Sequence, residues 1–203
     1  MTAAPEVHPE ASSVDDRTLL AGSRADPDQF VTLFDRYYGE IYRYARSRVG
    51  AGVAEDVASE TFLVAFRRRA AFDPGVGVGQ VRSWLYGIAT NLIRRNGRDE
   101  ERRYRAMARI PDEPSDAGHD ERVVVRLSAE RIRGELAVAL AVLPARDRDV
   151  LLLMALGGLD HHEIAAALGI PYGTVCSRLN RARRKVRAAL GVDPTEPTEH
   201  KGL

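Results

Sequence analysis

Cysteine is almost absent from this sequence, which has only Cys176 among 203 residues. A single cysteine excludes an internal disulfide and a zinc site built from several cysteines, and it fits a reducing compartment. Long apolar runs are also missing, since none approaches the roughly 18 residues that cross a bilayer. The N-terminus lacks the basic and then apolar segments of a secretory signal. We therefore expect a cytoplasmic protein without membrane insertion.

Lysine is scarce as well, and the arginines and acids are segregated although the net charge is only +1. Residues 1–30 contain six acids and two arginines, whereas residues 94–109 contain seven arginines and three acids. Residues 111–121 contain five acids and no lysine or arginine, and a second basic block occupies 178–187. Two basic blocks around an acidic one predict two contacts with a polyanion. A solvated charged surface is the alternative.

The sequence has no strand pattern and no internal repeat, and its apolar residues recur at helical spacing. We predict an all-α protein with two small helical domains joined by a flexible acidic linker. The predicted segments are a disordered N-terminus at 1–14, a first domain at 15–109, a linker at 110–127, a second domain at 128–190 and a disordered tail at 191–203.

The first domain shows a short helix at 15–24 and then two longer ones. Asp26 and Pro27 have the character of an N-cap and a first helical residue, which predicts a helix from there to about Val49. A second helix is predicted over 53–70, followed by a Gly-rich loop at 72–80. The predicted buried face of a third helix consists of Val81, Trp84, Leu85, Ile88 and Leu92.

The second domain ends in a helix-turn-helix pattern, after predicted helices at 129–142, capped by Ser128, and at 145–156. Asp160 and Glu163 have the spacing of a capping box at the start of a helix over 161–168. Gly169 permits the positive φ that ends this helix. A long helix with a basic outer side follows, which is the arrangement that places a recognition helix in the DNA major groove. A plain helical hairpin is the alternative.

The long helix divides into two faces. An inner face is predicted from the helical spacing of Val175, Leu179, Ala182 and Val186. Cys176 lies one step off that face, as a half-buried apolar residue, a neighbour of base edges or a redox sensor. On the outer side, polar residues suit bases and arginines suit phosphates. The candidate DNA-binding residues are Tyr172, Gly173, Thr174, Cys176, Ser177, Asn180, Arg181, Arg183 and Arg184.

A like-charged cluster stands out in the segment AEDVASETFLVAF at 54–66. Asp56 and Glu60 share one helix face and repel each other, and Glu55 adds a third charge. Acids near a helix N-terminus are favourable, so a solvated face is one explanation. A basic partner surface is the other.

Residues 143–190 resemble the promoter-binding C-terminal domain of bacterial RNA polymerase sigma factors, in the compact extracytoplasmic-function group. The matching runs are LPARDRDVLLL, GLDHHEIAAALGI and GTVCSRLNRAR. The resemblance implies recognition of the minus-thirty-five promoter element by this helix-turn-helix. Cys176 departs from the family pattern, which commonly has Lys or Arg there.

The acidic segment resembles the polymerase-binding helix of the same family, with Ser59 in place of the usual Gln. The resemblance implies docking on the β′ clamp helices of the polymerase. The implied polymerase-binding residues are Glu55, Asp56, Glu60, Thr61 and Phe62.

FDPG at 72–75 and WLYGIATN at 84–91 also resemble this family, in which they bind the unpaired minus-ten strand. Aromatic rings beside cations suit single-stranded DNA, although the place of Trp84 on the apolar stripe favours a core position over a base-stacking one. The implied minus-ten residues are Arg82, Trp84, Tyr86, Asn91, Arg94, Arg95 and Arg98.

Together the motifs predict a sigma factor that binds core RNA polymerase at the β′ clamp helices and the β flap, recognises promoter DNA and assists its opening. The resemblance further implies an anti-sigma partner, no cofactor and no catalysis. A stand-alone helix-turn-helix regulator would explain only the second domain. An enzyme is a third class, but the adjacent His161 and His162 lack the i, i+4 spacing of a zinc protease.

Overall fold

The computed structural model describes residues 14–72, 80–95, 97–108 and 132–191. Every regular element within these ranges is helical, which confirms the all-α prediction. The first five α-helices, α1 to α5, are Asp16–Gly22, Gln29–Val49, Ala51–Arg68, Val81–Arg95 and Gly97–Met107. The remaining helices are α6 at 132–141, α7 at Ala145–Ala155, α8 at His161–Leu168 and α9 at Tyr172–Ala189.

Several predicted segments lie outside the described residues. They are the N-terminal residues 1–13, the Gly-rich loop at 73–79, the linker with Ser128 inside 109–131, and the tail at 192–203.

The helix α2 begins later than predicted. Asp26 and Pro27 precede it in a tight turn, in which the backbone N–H of Gln29 donates to the carbonyl of Asp26. The Asp26 carboxylate caps this turn by accepting from the backbone N–H of Asp28 at 3.2 Å. Asp28 then takes the N-cap position, so the capping side chain serves the turn and not the helix itself.

Gly50 separates α2 from α3. Its φ of +88° lies in a region that glycine enters without steric cost, so the chain turns there within one residue. The helix α3 starts at Ala51, slightly before the predicted start, and Gly52 lies inside it. A short 3-10 turn, Arg69–Ala71, follows its last residue.

The predicted inner face of α4 is largely correct. Val81, Leu85 and Ile88 are buried, whereas Trp84 and Leu92 are half-buried and pack at the edge of the core. The first unit, α1 to α5, is assembled mainly by packing of α2 on α3 and of α4 on both.

The helix α5 is absent from the sequence-based prediction. Its composition is strongly polar, and among its described side chains Tyr104 and the charged Glu100 are buried. Apolar periodicity therefore misses this helix, because a carboxylate in an ion-pair network takes a position on the buried face that an apolar residue normally occupies.

The second unit comprises α6 to α9. Pro144 is the N-cap of α7, and the turn after α7 contains Gly158 with a φ of +62°. The predicted capping box is present at the start of α8, where Asp160 accepts from the backbone of Glu163 and Glu163 from the backbone of Asp160. Gly169 ends α8 with a φ of +60°, as predicted.

The two units pack on each other, which the sequence patterns do not indicate. The helix α4 contacts α8 as extensively as it contacts α3. The two backbones touch at Gly87, where an added Cβ would overlap the carbonyl oxygen of Ala167. One apolar core consequently runs through both units, from Leu20 to Leu179.

Candidate nucleic-acid and protein interfaces

The helices α8 and α9 form a helix-turn-helix around a small apolar centre. Ile164 of α8 faces Val175 and Leu179 of α9, and all three side chains are buried. The capping box holds the first turn of α8 and the left-handed Gly169 sets the turn between the helices. The outer face of α9 is thereby held in place by contacts on its opposite side.

The first turns of α9 present a polar surface. Tyr172, Gly173, Ser177 and Asn180 are exposed, whereas Thr174 and Cys176 are half-buried. The hydroxyl of Ser177 donates to the carbonyl of Thr174 at 3.1 Å, which leaves its oxygen able to accept from a ligand. These groups have the size and polarity that base edges require.

Cys176 lies against Tyr172, one helical turn away. The charge that Cys176 carries when ionised and a hydrogen bond to its sulfur raise the pKa of Tyr172 above its ordinary value. Like an ordinary phenol, the Tyr172 hydroxyl is neutral near pH 7 and can both donate and accept. Half-burial is one of the three alternatives that the sequence left open for Cys176, and the contact with Tyr172 was not among them.

His161 and His162 stand beside the same tyrosine, a neighbourhood that the sequence analysis does not predict. The ring of His162 lies 4.5 Å from the ring of Tyr172, and that of His161 lies 5.9 Å away, both between centroids. The described part of the chain contains no group of three metal-ligating side chains. The histidines thus extend the polar end of the helix-turn-helix.

The arginines of α9 differ in their surroundings. The guanidinium of Arg181 donates twice to the Asp147 carboxylate, at 3.0 and 3.2 Å. Arg183 contacts the sulfur of Met154, and Arg184 is exposed. The cationic side of α9 contains no acid of its own, because none occurs between Glu163 and Asp193.

The acidic face of α3 is open to solvent. Glu55, Asp56 and Glu60 are exposed. Asp56 and Glu60 border a shallow depression that also includes the half-exposed Leu63 and the side chain of Leu92 from α4. Carboxylates around an apolar patch form a surface that a basic helical partner would complement.

Thr61 and Phe62 lie inside the molecule and not on that surface. The Thr61 hydroxyl donates to the carbonyl of Val57 at 2.6 Å, one turn earlier. Phe62 is 3% exposed and packs edge-on against Phe30 and Phe34. In this arrangement both residues orient α3 and offer no surface to a partner.

The aromatic residues of α4 face protein. Trp84 is half-buried with its ring 5.1 Å from that of Phe72, between centroids. Tyr86 is 2% exposed, and burial together with the charge of Glu40 raises its pKa to about 12. Arg82 lies over the Tyr86 ring and donates to Glu40 at 3.0 Å. The aromatic surface suggested by the sequence is therefore largely internal here.

The basic end of α4 is partly exposed. Asn91 and Arg95 are exposed, and the Asn91 side-chain oxygen accepts from Arg94 at 3.3 Å. The other contact of Arg94 is with Asp149 of α7, at 2.6 Å. The side chain of Arg98 lies outside the described part of the structure.

A buried ion network joins the two units, and no pattern in the sequence indicates it. Arg48 is fully enclosed and donates to Glu100 at 2.7 Å, to Asp149 at 2.5 Å and to the Tyr44 hydroxyl at 2.7 Å. Burial alone would lower the pKa of Arg48, but Tyr44, Glu100 and Asp149 raise it well above its ordinary value. Arg148 of α7 donates to the second oxygen of Glu100 at 3.0 Å.

No helix in the described ranges combines the length and apolarity that crossing a membrane requires.

Two family models match the chain: sigma-70 region 2 over residues 33–103 and sigma-70 region 4 over residues 133–186.

Curated relatives include the ECF RNA polymerase sigma factor SigE of Mycolicibacterium smegmatis, which is 32% identical over 96% of this chain and 73% of its own length. SigL of Mycobacterium tuberculosis is 35% identical over 78% of this chain and 86% of its own.

Among solved structures, CnrH in complex with the cytosolic domain of CnrY superposes with a TM-score of 0.60 at 27% identity, covering 88% of this chain and 98% of that one. The sigma factor RpoE, solved with the anti-sigma factor NepR from Bartonella quintana, shares the fold with a TM-score of 0.53 at 22% identity. This match covers 81% of this chain and 98% of the RpoE chain. The two sigma regions, in this order and on this all-helical fold, place the chain in the extracytoplasmic-function group of RNA polymerase sigma factors.

Proposed function

We propose that this chain binds core RNA polymerase through α3 and directs it to promoters by recognising the minus-ten element with α4 and the minus-thirty-five element with α9. The observation that carries the proposal is one polypeptide with an open carboxylate face and two separate arginine-bearing helices. A stand-alone regulator requires only one of these helices and has no use for the carboxylate face.

The polymerase contact is assigned to the acidic face of α3. Glu55, Asp56 and Glu60 are exposed and supply charge to a basic partner surface, which is the β′ clamp helices by family resemblance. Thr61 and Phe62 contribute by fixing the helix from inside. A second contact, with the β flap, is assigned to the C-terminal unit on family resemblance alone.

The minus-ten contact is assigned to α4 and its loop. Asn91, Arg94 and Arg95 are the direct contacts in this proposal. Asn91 and Arg95 are exposed, and the half-buried Arg94, which donates to Asp149, lies beside them. Trp84 packs on Phe72 and Tyr86 is enclosed, so both shape the helix from inside. Arg82 donates to the carbonyl of Gly157 and becomes a DNA contact only when that bond is released. Phosphate neutralisation by the arginines and capture of unpaired bases then favour duplex opening.

The minus-thirty-five contact is assigned to α9 in the major groove. Tyr172, Ser177, Asn180 and Arg181 face base edges, whereas Arg183 and Arg184 face phosphates. Gly173 and Thr174 allow close approach of the first turn, and Cys176 contributes no cation.

We further propose that the protein acts in the cytoplasm, where polymerase and promoter DNA are found. An anti-sigma protein is a fitting partner, since RpoE, a sigma factor of similar fold, was solved with the anti-sigma factor NepR bound. No cofactor is required, because each assigned step is a binding step.

Transcription with purified core polymerase on a genomic template library tests the proposal. Addition of this chain is expected to yield a discrete set of start sites that core polymerase alone does not use. An Asp56→Arg/Glu60→Arg variant should yield none, whereas Asp35→Arg, at an exposed acid of α2, should match the wild type. A wild-type chain that never produces promoter-specific RNA, with fold and polymerase activity verified, would refute the assignment.

A further inference from the structure

One arginine of α9 is held by a buried acid of α7. The Nε and Nη2 groups of Arg181 donate to the two carboxylate oxygens of Asp147, at 3.2 and 3.0 Å. Asp147 lies in the first turn of α7, and its side chain is 6% exposed, whereas that of Arg181 is 49% exposed. The pair therefore joins a residue fixed inside the C-terminal unit to a side chain that reaches the proposed DNA-binding face.

The neighbouring arginines of α9 have no such anchor. Arg184 is exposed, and Arg183 contacts the sulfur of Met154 instead of a carboxylate. Within the described residues, no acid pairs with either of them. An unanchored arginine loses the freedom of a long side chain when it binds, and this loss opposes binding. Arg181 has already lost much of that freedom, because the carboxylate holds it in the free protein.

The pairing also determines which edge of Arg181 is available. A guanidinium carries five N–H groups in one rigid plane, so it can bind acceptors along more than one edge. Asp147 occupies the edge formed by Nε and one N–H of Nη2. The next edge, formed by Nη1 and the second N–H of Nη2, has no acceptor among the described residues. That edge suits acceptors on a base in the major groove.

The charge of the pair favours the same use. Arg181 and Asp147 together are neutral, so this arginine contributes less than Arg184 to the release of counterions from phosphates. Contacts to phosphates position a protein on DNA, whereas contacts to base edges select a sequence. A half-exposed arginine that is neutralised within the protein is therefore better suited to the second task.

We infer that Asp147 is a positioning residue for promoter recognition, which fixes Arg181 by one edge and directs the free edge to a base in the major groove. The inference rests on the proposed function, in which α9 recognises the minus-thirty-five element, and adds to it a residue of α7 that does not touch DNA. Asp147 acts only through Arg181. Loss of its charge therefore weakens the choice between bases and not the affinity for DNA as such.

Two substitutions test the two sides of the pair. Asp147→Asn has nearly the same shape but only one acceptor oxygen, so it cannot hold both N–H groups. Arg181→Lys retains a cation for Asp147 but lacks the planar guanidinium. Glu163→Gln is the control for charge, because it also removes one acid from the C-terminal unit and keeps the capping box.

Base preference is measured with the full chain and short duplexes whose central positions are randomised. Duplexes retained by the immobilised chain are sequenced, and single-base changes in the preferred duplex are titrated by fluorescence anisotropy. We expect Asp147→Asn to reduce discrimination at one base position by about five- to tenfold, and Arg181→Lys to reduce it at the same position. Glu163→Gln should retain the discrimination of the wild type. A mixed-sequence duplex should bind Asp147→Asn at least as tightly as the wild type, because a negative charge is removed.

A double-mutant cycle distinguishes positioning from a merely structural role. If Asp147 acts through Arg181, then Asp147→Asn/Arg181→Ala should have the same base preference as Arg181→Ala alone. A structural role would instead lower the affinity for every duplex. Circular dichroism verifies the fold of each variant. If Asp147→Asn does not fold, Asp147→Glu takes its place, since it keeps the charge but displaces the carboxylate by one methylene group.

Heteronuclear NMR of the full chain measures the hold on Arg181 without DNA. In the wild type, the Nε–H of Arg181 should exchange with water more slowly than that of Arg184, because it is hydrogen-bonded to Asp147. Asp147→Asn should lose this protection, and Glu163→Gln should keep it. Rapid exchange of the Arg181 Nε–H in the wild type would overturn the inference before any DNA is added.

Unchanged base preference in a folded Asp147→Asn variant would also overturn it. Tighter binding of that variant to the preferred duplex would overturn it too, since the carboxylate would then withhold Arg181 from DNA. A wild-type chain without any base preference would refute the proposed role of α9 and the inference with it. If the wild type selects a sequence and Asp147→Asn selects it equally well, the proposed function stands and only the positioning role fails.

Discussion

Asp160 and Glu163 bond reciprocally at the start of the first helix of the helix-turn-helix. One Asp160 oxygen accepts from the backbone N–H of Glu163 at 2.8 Å, and one Glu163 oxygen accepts from the backbone N–H of Asp160 at 2.8 Å. Two backbone N–H groups that have no acceptor within the helix are thereby hydrogen-bonded to carboxylate oxygens. The position of α8, and with it the turn into α9, depends on this local arrangement.

Asp160→Ala should destabilise the C-terminal unit by about 1 kcal/mol, because the capping acceptor is lost. Thermal unfolding followed by circular dichroism should show a midpoint lower by about 2–4 °C, because one apolar core runs through both units and they unfold together. Glu163→Gln is the matched control, since glutamine also completes a capping box. Equal midpoints for Asp160→Ala and the wild type would show that the cap contributes nothing.

Reversal of the charges at Asp56 and Glu60 should abolish binding to core polymerase. The fold should persist, because both side chains are exposed and their mutual repulsion contributes only about 0.2–0.5 kcal/mol. The affinity is measured by binding of each variant to surface-immobilised core polymerase. Asp35→Arg, which reverses one exposed acid outside α3, is the control. Full affinity in the folded double variant would show that the polymerase contacts another surface of this chain.

Arg184→Ala should weaken binding to upstream promoter duplex and reduce the slope of log affinity against log salt by about one. Arg181→Ala, at a position assigned to base edges, should weaken binding and relax base preference, and it also leaves Asp147 without its partner, so a loss of stability accompanies it. The double variant should lower the slope by about one, as Arg184→Ala alone does. Slopes identical to the wild type would mean that the DNA lies against another face of α9.

Cys176→Lys should strengthen binding to the same duplex and increase the salt slope by about one, because it supplies the cation that the family commonly has here. Cys176→Ala provides the uncharged comparison and should leave the slope unchanged. Titrations by fluorescence anisotropy at several salt concentrations distinguish the two. A lysine variant with wild-type slope would exclude a phosphate from the vicinity of this position.

The elements that local chemistry determines were predictable from the sequence. The capping box, the left-handed Gly169 and the inner positions of α9 each follow from a few neighbouring residues, and the structure has all of them. The start of α2 was predicted too early because an aspartate before a proline caps a tight turn as readily as a helix, and only the backbone distinguishes the two.

The long-range features were not predictable. The polar helix α5 is held by Glu100, whose partner Arg48 lies 52 positions earlier and whose partner Arg148 lies 48 positions later. Local periodicity has no means of pairing such residues. Tyr86 and Phe62 match family motifs, yet they are enclosed by side chains from other helices. A motif identifies a residue type and a register, and the tertiary packing decides whether that residue reaches a ligand.

The absence of acids from α9 has a consequence for its stability. Its cations follow one another at helical spacing, at positions such as Arg181, Arg184 and Lys185, and repel along the helix surface. Asp147 from α7 compensates only the first of these. Without DNA, the other cations of this helix therefore repel one another with no neighbouring counter-charge. A phosphate backbone along its flank would supply the missing counter-charges. Promoter DNA should therefore protect the last turns of α9 from amide hydrogen exchange, in addition to being bound by them.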